Sequence, residues 1–121
     1  MGSRKFYESL KLAVEGIGYC IKTQRNMRIH IVFAIIALVA GILLRIDRLE
    51  FIMVVMSISI VFICEIINTA VERAVDTATM EYHPIAKIAK DVAAGAVLVA
   101  AISSVIVGLL IFGKYLWAIA L

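Results

Sequence analysis

The chain has 121 residues, of which 64% are hydrophobic and 17% charged, against about half and about a quarter in soluble domains. That length allows one domain, and the apolar excess excludes a soluble bundle with polar faces throughout. The net charge of +3 is too small, and too interleaved with acids, for a nucleic-acid partner, but it suits a protein lying against anionic phospholipid head groups.

Taken in chain order, residues 4–24 read as an amphipathic helix. Phe6, Leu10, Ala13, Val14, Ile17 and Ile21 recur at helical spacing, with Glu8, Glu15 and Lys22 on the other side. Such a helix suits the membrane interface or a partner helix. No signal peptide is expected here, because no apolar core comes early enough. The basic residues Lys22, Arg25 and Arg28 follow. A short apolar segment over 29–44 is the first predicted membrane span, and it includes His30. Residues 45–50 read as a tight polar turn. The second span covers 51–71 with a single charge, Glu65, and stays helical to about Asp76. Residues 77–91 are polar, with Pro84 as a local stop. The third span, 92–113, carries no charge at all, and a run of about 18 or more such residues can cross the hydrocarbon layer. Lys114 and the aromatic pair Tyr115 and Trp117 close the chain. Cys20 and Cys64 lack CxxC spacing and read as small apolar fillers.

Lysine and arginine set the orientation. Arg4, Lys5, Lys11, Lys22, Arg25 and Arg28 precede the first span, and Arg73, Lys87 and Lys90 lie between the second and third. The opposite side has Arg45, Arg48 and Lys114. The N-terminus and the 77–91 segment are therefore expected in the cytoplasm, the side that holds ATP.

The second span carries a feature that packing does not call for. Glu65, Asn68, Glu72 and Asp76 follow one another at i, i+3, i+7 and i+11, which places them within roughly 80° of arc over about 16 Å of helix axis. A helix end emerging into water explains Asp76 and Arg73 and, less well, Glu72. It does not explain Glu65, about 21 Å along the helix from Phe51. A charge inside the apolar zone costs about 2.5–3.5 kcal/mol on insertion scales for comparable groups and is functional by default. Aligned carboxylates also repel, and a divalent cation is the natural answer. Magnesium in particular binds one or two carboxylates together with substrate phosphates.

A second constellation is Glu81, Tyr82 and His83, followed by Lys87, Lys90 and Asp91. Taken alone, the lysines read as cytoplasmic anchors and His83 as a surface histidine. Their expected place beside the carboxylate stripe gives Lys90 a second use, as a point charge for phosphate. No phosphate-binding G-x-x-x-x-G-K-[ST] loop is present, and Gly16 and Gly18 lack the third member of a dinucleotide motif.

Together these residues resemble the prokaryotic diacylglycerol kinase family. The resemblance is carried by Glu65-x-x-Asn68-Thr69-Ala70-x-Glu72-x-x-x-Asp76, then Glu81-Tyr82-His83, then Ala89-Lys90-Asp91-x-Ala-Ala-Gly-Ala-Val-Leu98. It covers nearly the whole chain. The stretch Arg25-Asn26-Met27-Arg28-Ile29-His30 resembles the Gram-positive branch, whose members phosphorylate undecaprenol. The resemblance implies an all-α fold in the bacterial inner membrane: three transmembrane helices, an interfacial N-terminal helix, and a homotrimer with active sites between subunits. It implies ATP as donor, Mg2+ as cofactor and a lipid alcohol as acceptor. By position, Glu65 matches the general base, and Glu72 matches a metal ligand that also contacts nucleotide. Glu81, Tyr82, His83, Lys90 and Asp91 match the surroundings of the nucleotide, and Asn68 and Asp76 match polar support for the site. Lys5, Leu12 and Ala94 match looser positions near nucleotide or lipid.

The sequence departs from the pattern at Gln24. The family normally has a glutamate there, which shares the metal with the Glu72 position. Glutamine offers a carbonyl oxygen without the charge, so weaker magnesium binding and lower activity are expected.

Two readings from other classes compete with the undecaprenol or diacylglycerol kinase. A proton-coupled transporter would use Glu65 but has little use for Glu72, Asp76, Lys90 and Asp91. A membrane scaffold would use the N-terminal helix but not Glu65.

Overall fold

A computed structural model describes residues 5–121; Arg4, counted above in the amphipathic helix, lies outside the described residues. Four helices follow one another: α1 (Phe6–Thr23), α2 (Arg25–Leu44), α3 (Arg48–Ala78) and α4 (Pro84–Ala120). Three of them, α2 to α4, are long and apolar enough to cross a membrane. At 1.5 Å per residue α2 is about 30 Å long, the depth of the hydrocarbon layer, whereas α3 is about 46 Å and α4 about 56 Å. The two longer helices therefore project beyond the apolar zone, and their ends are where polar side chains collect.

Local chemistry sets the boundaries. The α1–α2 break falls at Gln24, whose backbone is extended (φ −109°, ψ 110°) and which both ends α1 and begins α2. Arg28 secures this bend by donating to the carbonyls of Ile21 (2.9 Å) and Lys22 (3.0 Å), groups that a helix C-terminus leaves without partners. α2 ends at Arg45, which is left-handed (φ 54°). The chain then folds back so tightly that a Cβ on Gly41 would lie 3.1 Å from Ile46 Cδ1. The polar turn is shorter than 45–50, because α3 already begins at Arg48. Asp47 and Glu50 form a reciprocal capping box, with Glu50 N donating to Asp47 Oδ1 (2.9 Å) and Asp47 N to Glu50 Oε1 (3.2 Å). That box satisfies two backbone donors at the first turn.

The polar segment 77–91 also differs from the sequence reading. Pro84 starts a helix there and does not stop one. It occupies the first turn of α4 behind an N-cap at His83, whose Nδ1 accepts from Ile85 N (3.1 Å). Proline suits that position because its missing N–H has no intrahelical partner to lose. α4 thus takes in Lys87, Lys90 and Asp91, and it continues past residue 113 to Ala120.

α3 and α4 run antiparallel, and ion pairs fasten them at both ends. Glu50 near the start of α3 meets Lys114 (2.5 Å) and Tyr115 (2.5 Å) near the end of α4. Asp76 near the end of α3 meets Lys90 (2.5 Å) near the start of α4. The buried core between the helices is thin: Val54, Val61, Ala100 and Ile111, with Met27 and Ala34 from α2 and Cys20 from α1. The chain exposes 9047 Å², where a compact soluble monomer of this mass would expose about 6,450 Å². Much of the excess is large apolar side chains, Phe33, Leu43, Leu109 and Leu110 among them. Such a surface is stable against lipid or against other apolar helices.

Candidate active site

The most buried polar side chain among the described residues is Glu65. Its position halfway along α3 turns it towards α2 and α4, and 1% of it is exposed. One carboxylate oxygen, Oε2, has no hydrogen-bond partner among the described residues. It lies 3.7 Å from Nε2 of His30 on α2, too far for a hydrogen bond. One turn along, Asn68 is also buried. Its amide donates to Glu72 Oε1 (3.2 Å), and its own oxygen is without a partner. Thr69 donates to the carbonyl of Glu65 (2.9 Å), which occupies the hydroxyl within the helix. Buried polar atoms are nearly always paired, so two orphaned oxygens on successive turns mark a place made for something else.

Those oxygens edge a cavity of about 290 Å³. α2 supplies Asn26 and His30 to it, α3 supplies Glu65 and Asn68, and α4 supplies Ala94 and Val97. A larger apolar cavity of about 480 Å³ lies further along the three helices, between residues such as Phe33, Ala37, Val61 and Val105. Ile29, His30 and Ala101 line both. A lone carboxylate therefore stands in a small chamber of mixed lining that shares three residues with an oily one.

The remaining stripe residues form a separate layer towards the helix ends. Glu72 is half-buried beside Asn68. Asp76 joins Lys90 (2.5 Å) and, more loosely, Arg73 (3.7 Å). Arg73 in turn donates to the Tyr19 hydroxyl (2.6 Å) and lies 5.7 Å from its ring centre. The network Tyr19–Arg73–Asp76–Lys90 thus ties α1, α3 and α4 together. Asp91 pairs with Lys87 one turn away (2.6 Å).

Other residues singled out by the sequence stand further off. His83 caps α4 through its Nδ1. Thr79 Oγ1 donates to the carbonyl of Glu81 and accepts from its N–H, which shapes the α3–α4 connection. Tyr82, Lys5 and Leu12 are exposed. Among the described residues that line the chamber, Ala94 is present, but Lys5, Leu12, Gln24, Glu81 and Tyr82 are not.

Sequence reasoning passed over four residues that the fold puts to use: His30, Arg28, Tyr19 and Arg73. The sequence gives Arg28 and Arg73 as topogenic charges and Arg28 and His30 as members of the stretch that resembles the Gram-positive branch, but no structural partner for any of the four. The helical period of α3 carries no information on which residue of α2 faces Glu65, so the spacing does not pair His30 with it.

A magnesium ion fits this donor set in one respect. Among the described residues no group of three or more His, Cys, Asp or Glu side chains gathers at metal spacing, so no all-protein cage exists. Magnesium needs none, being held typically by one or two carboxylates with water and substrate phosphates. Glu72 offers a carboxylate at a helix end, and Gln24 an amide oxygen at the α1–α2 bend.

Comparison with known proteins agrees with this geometry. The prokaryotic diacylglycerol kinase family model matches residues 11–112. The chain is 42% identical over 108 residues to the undecaprenol kinase of Bacillus subtilis, covering 89% of this chain and 88% of that one. It is 45% identical over 101 residues to a diacylglycerol kinase of Synechocystis, covering 83% of this chain and 58% of that one. A Helicobacter pylori diacylglycerol kinase is 30% identical over 120 residues, or 99% of this chain and 91% of its own length. With a family match over most of its length and relatives of this similarity, the chain belongs to the prokaryotic diacylglycerol kinase family and is a membrane-embedded lipid kinase.

Proposed function

We propose that this kinase transfers the γ-phosphoryl group of ATP to the hydroxyl of undecaprenol, yielding undecaprenyl phosphate for carrier recycling in the cell envelope. The observation that carries the reading is the buried, unpartnered carboxylate of Glu65 in a small chamber that holds the few polar groups beside a larger apolar cavity. A long-chain alcohol has matching chemistry: one hydroxyl for the chamber and hydrocarbon for the rest. The similarity to the Bacillus subtilis undecaprenol kinase over nearly all of both chains favours a polyprenol over diacylglycerol.

In this reading Glu65 removes the hydroxyl proton, and Asn68 orients the acceptor oxygen or Glu72. Phosphoryl transfer is mainly positioning and charge neutralisation, which here falls to Lys90 and to a magnesium ion held by Glu72 and Gln24. That ion would offset phosphate charge. Asp76 holds Lys90 in readiness, while Glu81, Tyr82, His83 and Asp91 frame the nucleotide. Lys5 and Leu12 on α1 approach from the interface, and Ala94 leaves room for the acceptor.

We further infer a homotrimer in the bacterial inner membrane with the N-terminus cytoplasmic and α1 in the interface. The lysine and arginine asymmetry supports the orientation. The large exposed apolar surface of a single chain suits association, and the exposure of Lys5, Leu12, Glu81 and Tyr82 leaves them free to complete a neighbour's site.

The test is an acceptor assay in detergent micelles with magnesium and ATP, supplying undecaprenol or diacylglycerol, run on this chain and on Gln24→Glu. Phosphorylation of undecaprenol at least about tenfold faster supports the assignment. Faster phosphorylation of diacylglycerol overturns the acceptor, and ATP turnover independent of either lipid overturns the site.

A further inference from the structure

We propose that His30 is the positioning residue of Glu65, holding its carboxylate towards the acceptor and taking over the proton that Glu65 removes. This rests on the lipid-kinase reading of the site and adds a residue to it.

Three observations converge on His30. Its Nε2 is 3.7 Å from the Glu65 oxygen that has no partner, so closure by less than about 1 Å makes a hydrogen bond. Catalytic hydrogen bonds are often long before substrate binds and tighten afterwards. His30 also lines both cavities, which places it where the chamber around Glu65 and the larger apolar cavity adjoin. Finally, no other base is as near. α3 presents Glu65 and, beyond Asn68, Glu72; α4 presents Ala94, Val97, Leu98 and Ala101; α2 itself adds Asn26.

A carboxylate in an apolar surround needs such a partner. Burial makes a lone charge costly, and a carboxylic acid that has just received a proton cannot act again until it gives the proton up. An imidazole is suited to this, because it changes charge near neutral pH. The step balances. The acceptor O–H bond breaks as its oxygen bonds to the γ-phosphorus, and the bond to the ADP oxygen breaks with its electron pair leaving on ADP. The proton passes to Glu65 and on to His30 Nε2. Between turnovers His30 gives the proton up and returns to the neutral imidazole that accepts the next one.

His30→Gln tests this, because it keeps an amide near the Nε2 position but cannot carry a proton. On the Gln24→Glu background, we expect kcat at least about tenfold lower, since proton transfer contributes about 10²–10⁴-fold. KM for ATP and acceptor stays within about threefold. The acid limb of the pH–rate profile flattens relative to the parent. A purely structural histidine would change stability or KM and leave that limb in place. Wild-type kcat with the limb retained overturns the proposal.

A second measurement needs no activity. The chain has two histidines, and ring titration by NMR in micelles reads both. Glu65→Gln shifts the His30 midpoint by more than about half a pH unit and leaves His83 unmoved. An unmoved His30 overturns the pairing. If every alcohol acceptor fails on both backgrounds while the titration shifts, the kinase reading falls and the pair stands.

Discussion

The first turn and the middle of α3 hold buried carboxylates in opposite circumstances. At one end Glu50 has every partner it can use: its own capping box with Asp47, the Lys114 ammonium and the Tyr115 hydroxyl. The hydrogen bonds from Lys114 and Tyr115 are the main reason its pKa falls to about 2; Glu50 sits in the first turn, before the apolar stretch begins. In the other half Glu65 is still more deeply buried, and one of its oxygens has no partner. Both are glutamates on one helix, both near α4. The difference teaches that burial of a carboxylate does not by itself identify a site. A fully partnered carboxylate fastens helices, whereas an orphaned one beside a cavity is available to a substrate.

That contrast predicts separable losses. Glu65→Gln keeps the shape and should lower kcat by about 10²–10⁴-fold with little change in thermal stability, checked by lipid phosphorylation and a melting curve on the same sample. If activity survives, Glu65 is merely a tolerated polar residue and the contrast breaks. Gln24→Glu restores a carboxylate at the α1–α2 bend. It should raise the rate at limiting magnesium several-fold and shift the magnesium titration to lower concentration; equal curves would remove Gln24 from the metal site.

Glu50→Gln should do the reverse of the Glu65 change, lowering Tm by a few degrees while the kcat of the remaining folded protein stays near wild type. The pH dependence follows from the depressed pKa. The unfolded carboxyl titrates near 4.5 and the folded one near 2, so the stabilisation is complete above about pH 4.5 and is lost as pH falls towards about 2. The Tm gap between wild type and Glu50→Gln should therefore be constant from pH 5 to neutrality and close progressively in acid; a gap that is constant throughout would show the ion pair to be idle. The smallest effect is expected for Tyr19→Phe. It removes the hydroxyl that receives Arg73 and so loosens α1 from α3, which faster amide exchange in α1 would reveal without a measurable change in Tm.

The resemblance to the family rested on the spacing of Glu65, Asn68, Glu72 and Asp76 and on the Glu81-Tyr82-His83 and Lys90-Asp91 motifs, and these same facts weigh against a transporter or scaffold. They were legible because α3 is one unbroken helix, and a straight helix converts sequence spacing into a shared face. The α4 start escapes a local rule: proline breaks a helix in its interior, but at the first turn, where Pro84 stands, it begins one.

The sequence by itself determined three helices long and apolar enough to cross a membrane and the acidic stripe on one of them, because apolar length and helical period are properties of neighbouring residues. Only the tertiary structure decided which carboxylate is spent and which is free. Glu50 is answered by Lys114 and Tyr115, from 64 and 65 residues away along the chain, while Glu65 meets His30 across a gap too long for a bond. Partnership across helices depends on how α2 and α4 pack against α3, and no period within a single helix encodes that.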